Sequence, residues 1–333
     1  MMNLSKKLCS VPILFLIASP AVSFAQEKAS RQIIAKIGVT QTLSNADYDA
    51  DTKGFEKALT EAGFREGGHV IYDRQNARGD RASARAIARK FLDEKVVLIH
   101  SVATPASQAV VRMIRDIPII FSSVTDPIEG RLVPKKSPCG TRTGTNVTGV
   151  SDRWPVFLQF QRYTKFFPRA KKWGTIYNAR DPKSIPHIKE MREAARRLGV
   201  ELIEATIASN AEAVPAVQTL AGKIQVLNVT FDPAVLSSFE AIVKVCNEKK
   251  IPLFGGDVRS VTKGAMAAYG FDYFQIGYAA GKKAVRVLKG EPPGEIPWEL
   301  GERLVLVINE RAAKAQGAIV SPTLLKQADR IIK

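Results

Sequence analysis

The sequence predicts an α/β protein of two lobes, each built on a parallel sheet, and three observations lead there. Short, continuously apolar runs alternate with amphipathic helical patterns along most of the chain, the mark of right-handed βαβ units with a sheet covered on both faces. The alternation breaks once, over IPIIFSSVTDPIEGRLVPKKSPCGTRTGTNVTGVSD at residues 117–152, and then restarts. The opening of that stretch has an echo in IPLFGGD at residues 251–257, as two facing lobes would produce. A length of 333 residues is long for one core and suits two of ordinary size.

Taken in order, the first 25 residues stand apart. Lys6 and Lys7 precede an apolar run from Val11 to Phe24, broken by Pro20, and Ser23-Phe24-Ala25 offers the small residues a signal peptidase needs. The run is short for a membrane span, and Cys9 lies before it rather than at a cleavage site. Cleavage near Ala25 is therefore expected, leaving an exported, periplasmic chain. Strands are expected at Ile33–Val39, Val70–Tyr72, Val96–Ile99 and Ile117–Phe121. Between them lie the helical stripes Phe55, Ala58, Leu59, Ala62, then Ala84, Ile87, Ala88, Phe91, and then Val110, Met113, Ile114. After the break, strands are expected at Trp173–Tyr177, Leu202–Ala205, Ile224–Val229 and Ile251–Phe254. The expected lobes are residues 31–147 plus 263–290, and 152–260 plus 300–333.

Composition narrows the function. The apolar share of 45% and charged share of 24% are those of a globular protein. The formal charge is +17, and about +15 once Lys6 and Lys7 are removed. Its carriers are scattered pairs such as Lys171-Lys172, Arg196-Arg197 and Lys282-Lys283 beside apolar helical positions, which reads as solvated helix faces. With no nucleic-acid motif beside them, no nucleic-acid partner is expected. There is no G-x-S-x-G elbow, no phosphate-binding glycine loop and no H-E-x-x-H pair. His69, His100 and His187 show no metal-ligand spacing and read as surface or strand-end residues. No catalytic group, metal or cofactor is expected. An oxidising compartment permits a bridge between Cys139 and Cys246, but Leu236, Phe239, Val243 and Cys246 recur at helical spacing and suggest a buried thiol.

The punctuation after the strands points to binding. Thr104-Pro105, Asp126-Pro127, Asp181-Pro182 and Asp232-Pro233 each pair an N-capping side chain with a proline suited to the first helical position. Such helix starts at strand carboxyl ends, where open α/β sheets hold their ligands, suit a small anion. Gln41, Thr42, Thr104, Ser122 and Ser123 are the candidate ligand residues of the first lobe. Asn178, Asp232 and Asp257 are those of the second, an acid there holding a ligand ammonium, with Asp257 favoured because no proline follows it. Trp154, Tyr177, Phe231 and Phe271 are either aromatic walls or core. Thr52 is placed on a solvated helix face.

A set of phrases spread through nearly the whole chain then becomes specific: IGVTQ, VATPASQAV, IPIIFSSVTDP, NVTGVSD, KKWGTIYNARDPKS, VTFD, the run from IPLFGGD to GYAAGK, and LVLVINERAAKAQG. With them the chain resembles the ABC-transporter substrate-binding proteins of the tryptophan/tyrosine type, which have the type I periplasmic-binding-protein fold. The resemblance implies two Rossmann-like lobes joined by three hinge crossovers around an enclosed ligand. It also implies a monomer that delivers an amino acid or related carboxylate to an inner-membrane ABC permease. A periplasmic sensory subunit that presents its closed form to a membrane receptor is the alternative. Ser44 and Asn45 stand where the family often has an acid and a histidine, and Val102 where it usually has glycine, so the family's aromatic preference transfers only weakly.

Overall fold

The apolar runs become strands because both of their faces are covered. The structure, a computed structural model, describes residues 35–333 except 182, 183 and 231. The signal-peptide reading and Phe231 fall outside the described residues. From the start of that range the chain forms β1 (Ala35–Gln41), α1 (Ala46–Glu61), β2 (Val70–Asn76), α2 (Arg81–Asp93), β3 (Leu98–Val102), α3 (Thr104–Met113), β4 (Ile119–Ser122) and β5 (Val147–Ser151). Every residue of β3, β4 and β5 is buried.

Across the break come α4 (Val156–Thr164), β6 (Lys172–Asn178), α5 (Ser184–Leu198), β7 (Glu201–Ile207), α6 (Ala213–Leu220), β8 (Val226–Asn228), α7 (Pro233–Ser237), α8 (Phe239–Lys249), β9 (Leu253–Phe254), α9 (Arg259–Thr262) and β10 (Ala267–Phe271). The remainder is α10 (Tyr273–Leu288), β11 (Glu299–Leu300), β12 (Leu304–Asn309), α11 (Glu310–Ala315), α12 (Pro322–Lys326) and β13 (Arg330–Ile332).

Two sheets result. The first runs β11-β5-β4-β3-β1-β2 with every pairing parallel. The second runs β13-β12-β10-β9-β8-β6-β7 and is parallel except where β10 meets β12. This is an α/β fold of two lobes, and the chain passes between them three times, after β5, β10 and β11. Strand β10 belongs to the second sheet, pairing with β9 at Ala267 and Phe254. The chain therefore re-enters the first lobe with α10, later than residue 263.

Helix α10 lies against α1 with almost no side-chain layer between them. A Cβ at Gly54 would come 2.0 Å from the carbonyl oxygen of Phe274, and one at Gly277 would come 1.8 Å from that of Asp51. Only glycine allows such an approach, so the first turns of α1 are fixed against the segment arriving from the second lobe. Asn45 starts α1 with its Oδ1 accepting from the Asp47 and Tyr48 amides. Of the four proline-marked helix starts, Asp126-Pro127 opens no helix: Asp126 Oδ1 accepts from the Ile128 and Glu129 amides, and a turn follows. At Thr104-Pro105 the N-cap is Ala103, which makes no side-chain capping bond, and Thr104 is the first helical residue. Cys139 is exposed and free, and Cys246 is a free thiol buried in α8, so no bridge forms.

Candidate functional site

The sheet orders bring the predicted residues together on two walls. Gln41, Thr42, Thr104, Ser122 and Ser123 sit at the carboxyl ends of β1, β3 and β4, which are neighbours in the first sheet. Asn178, Asp232 and Asp257 sit at those of β6, β8 and β9, neighbours in the second. Their side chains are committed very differently.

Several are occupied by the fold itself. Gln41 Nε2 donates to the Tyr48 carbonyl at 3.0 Å, to Thr52 Oγ1 at 2.9 Å and to Asp49 Oδ1 at 3.2 Å. Thr52 is thus turned inward, 9% exposed, and not on a solvated face. The Thr42 hydroxyl donates to the Val102 carbonyl and accepts from the Ala106 amide at 3.1 Å, taking one of the free donors at the start of α3. Asp232 is fully buried and accepts four times, from the Ala234, Val235 and Asn178 amides and from Ser184 Oγ. Four donors use the whole accepting capacity of a carboxylate. Asn178 gives its amide to Asp232, and its own Oδ1 accepts from the Arg180 amide. Thr104 keeps a half-buried hydroxyl with no hydrogen-bond partner among the described residues.

Strain marks the first wall. Ala103 has φ 72 and ψ 156, a region that side-chain-bearing residues seldom enter, and Ser123 has φ 53. Both stand at the ends of adjacent strands, and such conformations persist only where their surroundings hold them.

Other polar residues near these walls were not signalled by the sequence. Asp51, from α1, is fully buried; Ser122 Oγ donates to its Oδ1 at 2.8 Å and Ser123 Oγ to its Oδ2. His100 Nε2 lies 2.8 Å from Ser122 Oγ, and the ring stacks on Phe55 with centroids 3.9 Å apart. His100 is wholly buried inside β3, so its reading as a surface or strand-end residue is corrected. The Ser122–Asp51 pair satisfies its Nε2.

Between the lobes lies a second polar group. Asp152, on the first crossing, accepts from Tyr273 Oη at 3.0 Å and from Thr125 Oγ1 at 3.2 Å. Burial pushes its carboxyl up to about 6, against the hydrogen bonds from Tyr273 and Thr125, with the charge of Asp51 adding to the rise. Asp47, from α1 in the first lobe, meets Arg259, from α9 in the second, at 2.9 Å. Burial raises Asp47 to about 6 as well; Arg259 opposes the rise and Asp257 adds to it. Tyr48 is pushed up to about 12 by burial and by Asp152 and Asp47. Asp257 is 5% exposed, accepts from the Ser260 amide, and lies 3.8 Å from Arg259. Arg259 Nε, despite its closeness to Asp47, makes no aligned hydrogen bond. Trp154 and Phe271 meet edge-on at 6.3 Å beside the crossings, and both are buried. The residues combine carboxylates, one guanidinium, hydroxyls and aromatic rings, a chemistry suited to holding a zwitterion. No cluster of potential metal ligands occurs among the described residues.

Comparison with known proteins agrees in fold and in class. The family model of the ABC transporter substrate binding proteins matches residues 36–332. A tyrosine-binding protein of Clostridioides difficile is 37% identical over 279 residues, which are 84% of this chain and 80% of that one. The ligand-free, open structure of a Clostridium difficile substrate-binding protein with adhesive properties superposes with a TM-score of 0.83 at 33% identity, covering 90% of this chain and 100% of that one. A Streptococcus pneumonia ABC-domain structure in complex with L-Trp gives 0.73 at 29% identity, covering 90% and 100%.

Proposed function

Because the chain belongs to the ABC transporter substrate-binding protein family, a class of solute binders and not enzymes, we propose that it captures an amino acid between its lobes. On this reading it delivers that cargo to an inner-membrane permease from the periplasm. The observation that carries the reading is the interlobe group: Asp47 and Asp257 beside the guanidinium of Arg259, which makes no aligned hydrogen bond through Nε, with Asp152 on the first crossing held by Tyr273 and Thr125. An ammonium group matches the acids and a carboxylate matches Arg259, so an α-amino acid satisfies both ends at once. The half-buried Thr104 hydroxyl extends the carboxylate end. Asp232, saturated by the fold, takes no part in recognition; Asp257 and Asp152 hold the ammonium.

Similarity to a tyrosine-binding protein and to a structure holding L-Trp supports an aromatic side chain, for which the Trp154–Phe271 pair supplies an apolar wall. Lobes that close on a ligand hold it by contacts from both sides, and bound ligand raises the melting temperature by mass action. A thermal-shift screen of the twenty amino acids, followed by calorimetry on the hits, tests this. Stabilisation by L-tyrosine or L-tryptophan is expected. A screen in which no amino acid moves the transition refutes the reading, as does turnover of the bound compound.

A further inference from the structure

We propose that Asp51 fixes the proton of Ser123 and so makes the end of β4 an obligate hydrogen-bond acceptor, a polarity that selects ligands presenting an ammonium or hydroxyl donor there. The inference rests on the amino-acid reading above and gives the two candidate ligand residues Ser122 and Ser123 different roles.

Proton counting carries it. A hydroxyl has one proton to give. Ser122 gives its proton to Asp51 Oδ1 at 2.8 Å, so its 2.8 Å contact with His100 requires the imidazole to donate. His100 is then the Nε2–H tautomer. Its Nδ1 is buried and without a hydrogen-bond partner among the described residues, so a proton there would meet no acceptor. Ser122, which donates to Asp51, accepts from His100 and is wholly buried, has nothing left for a ligand.

Ser123 differs. Its proton goes to Asp51 Oδ2, and no other partner of its Oγ occurs among the described residues. Only lone pairs remain on that oxygen. The residue is 3% exposed and held in the left-handed region at φ 53. Two residues on, Thr125 touches Asp152 of the interlobe group. Among the described residues, the end of β4 therefore offers the acceptor Ser123 Oγ, with the Asp152 carboxylate after β5 met by Thr125, and no side-chain donor that is not already engaged. Asp51 acts through Ser123, as a positioning residue.

The test compares three probes by calorimetry: L-tyrosine, tyramine, which lacks the carboxylate, and 3-(4-hydroxyphenyl)propionate, which lacks the ammonium. In Asp51→Asn the amide orientation is set, because Ser122 must still donate and so faces the amide oxygen. The amide nitrogen then donates to Ser123, whose proton is released toward the ligand. In the wild type, removing the ammonium is expected to weaken binding at least about tenfold more than removing the carboxylate. In Asp51→Asn that ratio is expected to fall by about threefold or more, with Asp152 and Asp257 still favouring the ammonium. A purely structural role would lower all three affinities together, and an unchanged ratio overturns the proposal. Should Asp51→Asn fail to fold, Ser123→Ala leaves Asp51, Ser122 and His100 in place and is expected to lower the same ratio; no change there is equally fatal. The His100 tautomer, read by nitrogen-15 NMR, needs no ligand. Nε2–H is expected, whereas Nδ1–H would overturn the proton count even if the wild type bound no tyrosine and the amino-acid reading had failed.

Discussion

Asp51 and Asp232 are both wholly buried acids below the two walls of the cleft, yet they serve different ends. Asp232 accepts from three backbone amides and one hydroxyl, all within its own lobe, and starts α7. Asp51 accepts from two side-chain hydroxyls at the end of a strand it does not belong to. Burial and full engagement therefore do not distinguish a folding residue from a site residue; the identity of the donors does. Backbone donors must be satisfied for the chain to fold at all, whereas the serine hydroxyls could have faced elsewhere.

The largest effect expected from this contrast is on stability. Asp232→Ala strands three amides and a buried hydroxyl, and removes a cap. A loss of about 2 to 4 kcal/mol in urea unfolding is expected, with any surviving folded protein binding ligand at near wild-type affinity. A loss of affinity at unchanged stability would reverse the roles assigned to the two acids.

Next in size is Arg259. Its replacement by methionine keeps the side-chain bulk but removes the interlobe ion pair and the carboxylate partner. A tenfold to hundredfold weaker Kd for an amino acid is expected, about 1 to 3 kcal/mol, with little change in the unfolding midpoint. Thr104→Ala, which removes one unengaged hydroxyl from the opposite wall, belongs at the lower end of that range. Calorimetry on the two variants ranks them, and equal affinities across wild type and both variants would place the ligand elsewhere.

How legible these roles were from the sequence depends on chain distance. Asp-Pro at 232 announced a helix start because a cap and its helix are neighbours in the chain. The strands were legible as apolar runs, but their ends were not. β3 and β4 extend through His100, Ser101 and Ser122, polar residues that a run of hydrophobics excludes and a buried network admits. β9 has two residues, and β10 and β12 are joined through pairings no periodicity reveals. Asp51 is 71 residues from Ser122, and Arg259 reaches Asp47 from the other lobe, so no local spacing connects them. Gly54 and Gly277 were the nearest signal, two glycines inside helical patterns, where a conformational cost suggests a close approach.

Acidity marks two of the interlobe acids by a smaller effect. Asp47 and Asp152 have folded values near 6, above the 3.8 of an unperturbed aspartate, so the folded protein takes up protons that the unfolded chain still refuses. The penalty of holding them charged is fully present above about pH 6 and is relieved as pH falls toward 3.8. Ligand-free protein is therefore expected to gain melting temperature between pH 7.5 and 5 from these two groups, and Asp152→Asn to gain less. Over the same interval the affinity for L-tyrosine is expected to fall by up to about tenfold through Asp152, because an ammonium needs the ionised acid. Stability and affinity moving in the same direction would exclude Asp152 as an ammonium partner.

The smallest effect tests the boundary between wall and scaffold. Thr52 Oγ1 accepts from Gln41 Nε2 at 2.9 Å, and the same nitrogen also reaches the Tyr48 carbonyl and Asp49. Gln41 thereby ties the end of β1 to the first turns of α1, the helix that carries Asp47, Tyr48 and Asp51. Thr52→Ala removes one of several acceptors for a single amide nitrogen, so no buried donor is left without a partner. The cost is then that of one net hydrogen bond and a small loss of packing, about 1 kcal/mol in urea unfolding. Because the remaining contacts still hold Gln41 against α1, the affinity for L-tyrosine is expected to change by less than about threefold. Gln41→Ala breaks all of these ties at once and is expected to weaken binding more than Thr52→Ala does. If Thr52→Ala instead lowers affinity tenfold without destabilising the fold, this side of α1 belongs to the ligand wall, and Gln41 with it.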